Sequence, residues 1–282
     1  TKSRPTIGIK KALNGQKMPF WQTVVHVVTQ IFYVGTGGSV GRELAPREAG
    51  ALLAQRWEAL LVSLHISSLT QEDRQLLIAA AAGAGFAGIY IAPITGMLFS
   101  VEVLLKKLSL RTVAVSLTMS TIAMLIGSLV KGFKPYYLIG DAKFSVMSLF
   151  IILILAPVAG VAGALFRKLC QWAEKKQTKS NQILWQLPAM ALVTGVISTV
   201  FPEIMGNGRA LAQLAINGHS RNMLFVLVIG ALLKVFVTAV TIRSGAAGGT
   251  LTPAIAVGAA LGTSVGLITM IWIPSITTVS YT

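Results

Sequence analysis

Gly38-Ser39-Val40-Gly41-Arg42-Glu43-Leu44-Ala45-Pro46 runs directly into the apolar stretch opened by Gly50-Ala51-Leu52-Leu53. Proline is tolerated in the first turn of a helix, where its missing N–H leaves no hydrogen bond unmade. The passage therefore predicts a loop that ends in a helix N-terminus inside a hydrophobic chain. Far downstream the pattern returns, with Gly248-Gly249-Thr250-Leu251-Thr252-Pro253 leading into Gly258-Ala259-Ala260-Leu261. Weak internal repetition of this kind marks transporters built from inverted repeats, in which broken helices point their N-termini at the substrate near the bilayer midplane.

The rest of the chain fits such a fold. Of its 282 residues 54% are hydrophobic and 12% charged, where a soluble domain carries roughly a quarter charged residues. Too little polar surface remains to cover a globule, so lipid must cover the remainder. The uncharged runs Gln75–Val101, Thr112–Val130, Phe144–Phe166, Ser180–Pro202 and Ser244–Thr282, with Met223–Leu233 continuing past Lys234 to Ile242, supply the helices. A span takes about 20 apolar residues. Gln75–Val101 and Ser244–Thr282 are too long and too rich in glycine for one helix each, so each is expected to be broken. Trp21–Val34 and Ala49–Leu64 are marginal in length and are expected to be tilted or partial spans. Gly83, Gly85 and Gly88, Gly160 and Gly163, and Gly258, Gly262 and Gly266 are expected to let helices approach closely. The expected class is all-α: a polytopic membrane protein of partly broken helices without a sheet or soluble domain.

The net charge of +15 would point a soluble protein toward nucleic acid. Here the basic residues cluster between apolar runs, at Lys106, Lys107 and Arg111, at Arg167, Lys168, Lys175, Lys176 and Lys179, and within the first 17 residues. Under the positive-inside rule these are cytoplasmic loops, and nucleic acid is excluded as a partner. Cys170 is the one cysteine, and His26, His65 and His219 lack ligand spacing, so neither a disulfide within the chain nor a metal or other cofactor is expected. The chain is taken as a single transmembrane domain over 1–282, with 1–140 part of a first inverted repeat and 141–282 part of a second. Its basic start without methionine reads as an internal piece of a longer protein, lacking the first and last helices.

A helix N-terminus carries unpaired N–H groups and partial positive charge. Two such ends inside a bilayer would hold an anion without a buried cation, and weakly enough to let it leave. Glu43 stands at one of them beside Arg42. An ionisable residue there is a functional-site hypothesis by default. Its carboxylate could act as a substitute anion, occupying the site when ionised and leaving it when protonated. The plainer alternative is a glutamate that stabilises its own helix or pairs with Arg42 or Arg47. Arg47 and Glu48 could form an ion pair, or Glu48 a second titratable site. Glu102, four residues before Lys106, is expected to pair with it on one helix face.

These residues resemble the CLC family of chloride channels and chloride/proton exchangers. Gly41-Arg42-Glu43 followed by Pro46 is similar to its Gly-Arg-Glu-Gly-Pro signature. Ala92-Pro93-Ile94-Thr95-Gly96-Met97-Leu98-Phe99-Ser100-Val101-Glu102 is similar to its Asn-Ala-Pro-Leu-Ala-Gly-Ile-Leu-Phe…Glu stretch, and Ser244 to Pro253 to its Ser-Gly-Ala-Pro-Gly-Gly-Ile-Phe-Ala-Pro loop. The three occur in family order over most of Phe20 to Leu267. The resemblance implies an inverted-repeat pore in each subunit of a homodimer, carrying chloride by channel or proton-coupled exchange, and the compact loops point to a bacterial inner membrane. It makes Glu43 the gate and Gly41, Arg42, Leu44, Thr250, Leu251 and Thr252 the anion-binding residues. Its departures are specific. The first proline comes one residue late, and Leu251 replaces a phenylalanine. Threonines flank it at Thr250 and Thr252, where hydroxyls could serve a smaller anion such as fluoride. Val103 stands where exchangers carry an internal proton-transfer glutamate, leaving Glu102 next door as the possible proton path. The family's serine and tyrosine ligands have no clear counterpart, Ser3 being a poor match.

Gly83-Ala84-Gly85-Phe86-Ala87-Gly88 also fits G-x-G-x-x-G, but the dinucleotide fingerprint needs a preceding strand, and Ala79 to Ala82 favour helix. An NAD-binding enzyme is disfavoured on that ground, and the chain is not expected to be an enzyme. A membrane subunit without a pathway would make Glu43 replaceable. A cation transporter would expose carbonyls rather than donors at its site.

Overall fold

A computed structural model of the chain describes residues 8–66, 69–139, 146–218, 220 and 222–272. Ser3, His219 and 273–282 lie outside them. The helices are α1 (Ile9–Leu13), α2 (Phe20–Gly35), α3 (Leu44–Ser63), α4 (Gln71–Tyr90), α5 (Pro93–Leu98), α6 (Leu110–Lys131), α7 (Val146–Lys175), α8 (Ile183–Val200), α9 (Arg209–Ile216), α10 (Met223–Arg243) and α11 (Leu251–Trp272). A π-helical stretch, Phe99–Leu105, continues α5, and a 3-10 turn, Pro202–Ile204, precedes α9. No strand occurs among the described residues, and the all-α expectation holds. Among the described residues, four helices are long and apolar enough to cross a membrane: Leu110–Lys131, Ile183–Val200, Met223–Arg243 and Leu251–Thr269.

The run Gln75–Val101 breaks as its length demands. Pro93 cannot donate to the preceding turn and pushes Ala92 out of helical geometry, to φ −134° and ψ 80°. Ile91 closes α4 in the left-handed region at φ 57°, a conformation costly for a β-branched side chain. In the second long run, α11 is one continuous helix from Leu251 to Trp272, and any further piece lies outside the described residues. The expected Glu102–Lys106 pair does not form. The π-helical winding through Glu102 carries residues four apart off a common face, and Lys106 itself turns left-handed at φ 54°.

The chain divides into two compact units, Thr1–Phe32 with Arg42–Tyr136, and Tyr33–Gly41 with Tyr137–Thr282. In the first, α4 is the central helix and packs against α1, α3, α5 and α6. A core of Ala12, Leu13, Met18, Ala51, Leu52, Ala54, Ile78, Ala79 and Ala82 fills it. Small residues set these approaches. A Cβ on Gly50 would strike the Ala81 carbonyl, one on Gly85 the Pro46 carbonyl, and one on Gly83 the Gly96 carbonyl and the Ser100 hydroxyl. In the second unit, α10 and α11 pack on each other and on α7 and α9. There the glycines predicted to serve packing are open: an added Cβ at Gly160, Gly163, Gly258 or Gly266 meets nothing within 4 Å.

Candidate functional site

The two glycine-rich passages are tied together by their backbones. Gly41 N–H donates to the Gly249 carbonyl at 2.6 Å and Gly249 N–H to the Gly41 carbonyl at 2.9 Å, an isolated antiparallel bridge. The approach needs glycine, because a Cβ on Gly248 would drive into the Val40 side chain. Each bridged glycine is followed by a helix start of the same design. Leu44-Ala45-Pro46 opens α3 and Leu251-Thr252-Pro253 opens α11. In both, proline takes the third helical position, where an amide would have had no partner within the helix. Thr250 accepts the first hydrogen bond of α11 from Ala254 N–H at 3.0 Å. Thr252 is buried, whereas the Leu251 side chain is 42% exposed.

A buried lysine holds the first of these loops. Lys234 is the one charged residue within the apolar interior of α10, and its Nζ donates to Ser39 Oγ at 2.8 Å, the Ile204 carbonyl at 2.9 Å and the Gly206 carbonyl at 2.5 Å. Ser39 Oγ also lies 3.2 Å from Thr238 Oγ1. Gly208, at φ 90°, clears the lysine's path, since a Cβ there would come within 2.9 Å of Lys234 Cε. A charged group in a membrane helix is a signal that the sequence offered, at the single break in the run Met223–Ile242. The run was read there only for its length.

Glu43 caps α3 at φ −74° and ψ −16° and is fully buried, and its side chain makes no capping hydrogen bond. Helix capping through the side chain is therefore not its role. Arg47 Nε donates to the Glu43 main-chain carbonyl at 2.8 Å. Glu43 Oε2 instead lies 3.5 Å from the Tyr90 hydroxyl at the end of α4. Around it stands an aromatic group that sequence reasoning missed. Tyr90 packs on Phe86 and Tyr136 with ring centroids 4.8 and 4.9 Å away. The Arg42 guanidinium sits 5.1 Å over the Tyr136 ring, and that of Arg47 sits 5.0 Å over Phe99. Both arginines thus satisfy their charge on ring faces, and Arg42 Nε is buried without a hydrogen-bond partner among the described residues. The only sequence signal for this group was the recurrence of aromatics at Phe86 and Tyr90, four apart on one helix. Glu102 stands exposed on the π-helical stretch and takes no part in these contacts.

Comparison with known proteins follows the same lines. The sequence profile of the family described as "Voltage gated chloride channel" matches residues 2–282. "Voltage-gated ClC-type chloride channel ClcB" of Salmonella typhi is 27% identical over 263 residues, 89% of this chain and 59% of that protein. The protein of the same name from Citrobacter koseri is 27% identical over 284 residues, 96% of this chain and 63% of its own length. The chain thus spans about three-fifths of the relatives it matches. Among solved structures, a slow cyanobacterial Cl⁻/H⁺ antiporter superposes with a TM-score of 0.79 at 21% identity, over 97% of this chain and 64% of that one. A CLC-type fluoride/proton antiporter superposes at 0.69 with 23% identity, over 90% and 63%. At these identities the two structures establish the fold. The family match, the apolar spans and the bacterial relatives make this chain an integral protein of the bacterial inner membrane.

Proposed function

Because the chain belongs to the voltage gated chloride channel family, we propose that it forms most of a pathway for small inorganic anions, chloride foremost, gated by Glu43. The observation that carries this reading is the Gly41–Gly249 bridge. The peptides that follow the bridged glycines belong to two helix starts, Arg42-Glu43-Leu44 and Thr250-Leu251-Thr252. Their amides supply the ligands. An anion at one partly buried helix N-terminus gains at most about 2 kcal/mol. Two termini would give about 4 kcal/mol, a dissociation constant on the order of 1 mM. That is tight enough to select an anion and loose enough to release it.

Glu43 supplies the gate. Ionised, its buried carboxylate competes with the ion for the same donors. Protonated, it loses that attraction and frees them. Flux would therefore rise as pH falls. Proton coupling runs through the same group, with the exposed Glu102 as a second carboxylate of the proton path. The working unit is a homodimer of the full-length protein. Fluoride is the second reading, favoured by one observation, the buried Thr252 beside the proposed ligands, whose hydroxyl suits a small, strongly hydrated anion.

The test is efflux from liposomes that hold the full-length protein, with chloride, fluoride and protons followed in one preparation. Glu43→Gln cannot ionise, so its flux should lose its pH dependence. Flux and pH profile identical to those of the parent protein would defeat the gating role, and a fluoride-only signal would reassign the substrate.

A further inference from the structure

Helix α2 buries three polar side chains and exposes large apolar ones. Thr23, His26 and Gln30 recur three and four residues apart and are all buried, at 0%, 8% and 2% exposure, whereas Trp21 and Phe32 are 74% and 70% exposed. A bilayer favours that arrangement, with apolar side chains toward lipid and polar ones toward protein. Thr23 is satisfied within the helix, its hydroxyl donating to the Pro19 carbonyl at 2.6 Å. The other two are not. His26 Nδ1 lies 2.8 Å from Glu48 Oε2 on α3, and Glu48 is itself only 4% exposed. Among the described residues His26 Nε2 has no partner, and neither Gln30 Oε1 nor Gln30 Nε2 has one. Buried polar atoms without partners are rare in folded proteins, and each calls for an explanation.

We propose that Glu48 and His26 form a second proton-holding station, separate from Glu43, with Gln30 as the polar partner of the open imidazole nitrogen in both protonation states. In the deprotonated state Nδ1–H donates to the carboxylate and the Nε2 lone pair is free. Uptake of one proton from a hydronium ion forms the Nε2–H bond as the donor's O–H bond breaks, and water leaves. The pair changes from one net negative charge to an imidazolium–carboxylate pair of zero net charge. The Gln30 amide serves either form, since its N–H₂ donates to a lone pair and its carbonyl accepts from Nε2–H, directly or through a water.

One cation reaches the pair, and the other charged groups nearby are engaged elsewhere or exposed. On α3, Arg47 is within electrostatic reach of Glu43, Tyr90 and Glu48, Arg56 lies over the Phe20 ring, and Glu58 pairs with Arg74 of α4. From the helices packed on α3, Lys10 and Lys11 of α1 are exposed. On α4, Glu72 pairs with Lys107 and Asp73 with Arg111, while Tyr90 lies against Glu43. His26 has Glu48 as its one ion-pair partner.

The functional consequence rests on the anion-transport reading, and the test separates the two. The full-length protein, labelled with ¹⁵N-histidine in lipid nanodiscs, is titrated by NMR, and the His26 signals are assigned by their loss in His26→Gln. His26 Nε2 should pass between its unprotonated and protonated shifts in one step. Glu48→Gln should move that step to lower pH by about one unit or more, because the imidazolium loses its counter-charge. Glu48→Asp, which keeps the charge, should restore most of the shift and stands in if the glutamine variant does not fold. In liposomes, Glu48→Gln with Glu43 intact should displace the pH profile of anion efflux in the same direction. A His26 Nε2 that keeps one protonation state throughout, or a step that Glu48→Gln leaves in place, overturns the proposal. A normal His26 titration in a protein without anion flux overturns the transport reading alone.

Discussion

At the scale of single residues, glycine separates what is packed from what is open. Gly85 faces the Pro46 carbonyl in the first turn of α3, so the backbone beside Glu43 lies against α4 with no room for a methyl group. Gly85→Ala forces that turn away and should destabilise the protein by about 1–3 kcal/mol. The loss is read as a lower midpoint of thermal unfolding in detergent, together with an altered Glu43 pH profile. Gly258→Ala in α11 meets nothing within 4 Å. It should be neutral or stabilising by about 0.5–1 kcal/mol, the usual gain from removing a glycine from a helix interior. Equal losses in the two variants would mean that α11 is covered by another helix or a second copy. Both glycines belong to spacings that predict close packing equally well. Spacing gives the face a glycine shares but not what lies opposite, so the sequence could not tell them apart.

At the scale of elements, the helix starts were legible and their supports were not. A proline just inside a helix and glycines just before it leave few conformations, which is why the starts of α3 and α11 could be read directly. The support of the first loop is non-local. Lys234 reaches Ser39, Ile204 and Gly206, residues that no local pattern brings together. The pairing of His26 with Glu48 across two helices was hidden in the same way, as were the rings around Glu43. Lys234→Met keeps the length of the side chain and removes the donor, leaving the buried Ile204 carbonyl and the part-buried Gly206 carbonyl unpaired. At about 1–3 kcal/mol for each unsatisfied group, the variant should lose on the order of 3 kcal/mol. Hydrogen exchange should report the loss locally, as faster exchange at Gly41 and Gly249, whose amides form the bridge. Unchanged protection there would show that the bridge stands without the lysine.

At the scale of the whole molecule, the alternation of charge and apolar runs made the membrane class legible, because a bilayer imposes one length on every span. That same alternation fixes orientation. Helix α6 has 22 residues, about 33 Å at 1.5 Å per residue, which is enough to place its two ends on opposite sides of a hydrocarbon layer of about 30 Å. Lys106, Lys107 and Arg111 lie at its start, whereas Lys131 closes it and Lys134 follows. The denser cluster belongs to the cytoplasm, and by the same rule so does the cluster after the apolar part of α7, Lys175, Lys176 and Lys179. Cysteine labelling checks this in intact and inverted membranes. The background is clean once Cys170, the one native cysteine and a buried one, is replaced by serine. Lys107→Cys and Lys176→Cys should react with an impermeant maleimide only in inverted vesicles, and Lys134→Cys only in intact cells. If Lys107→Cys and Lys134→Cys were labelled from one side, α6 would not cross the membrane. If both reacted from the side opposite to that expected, the charge rule would have been read in the wrong sense. In that case Glu43 would gate from the cytoplasmic side, and the pH to which flux responds would be the cell's own.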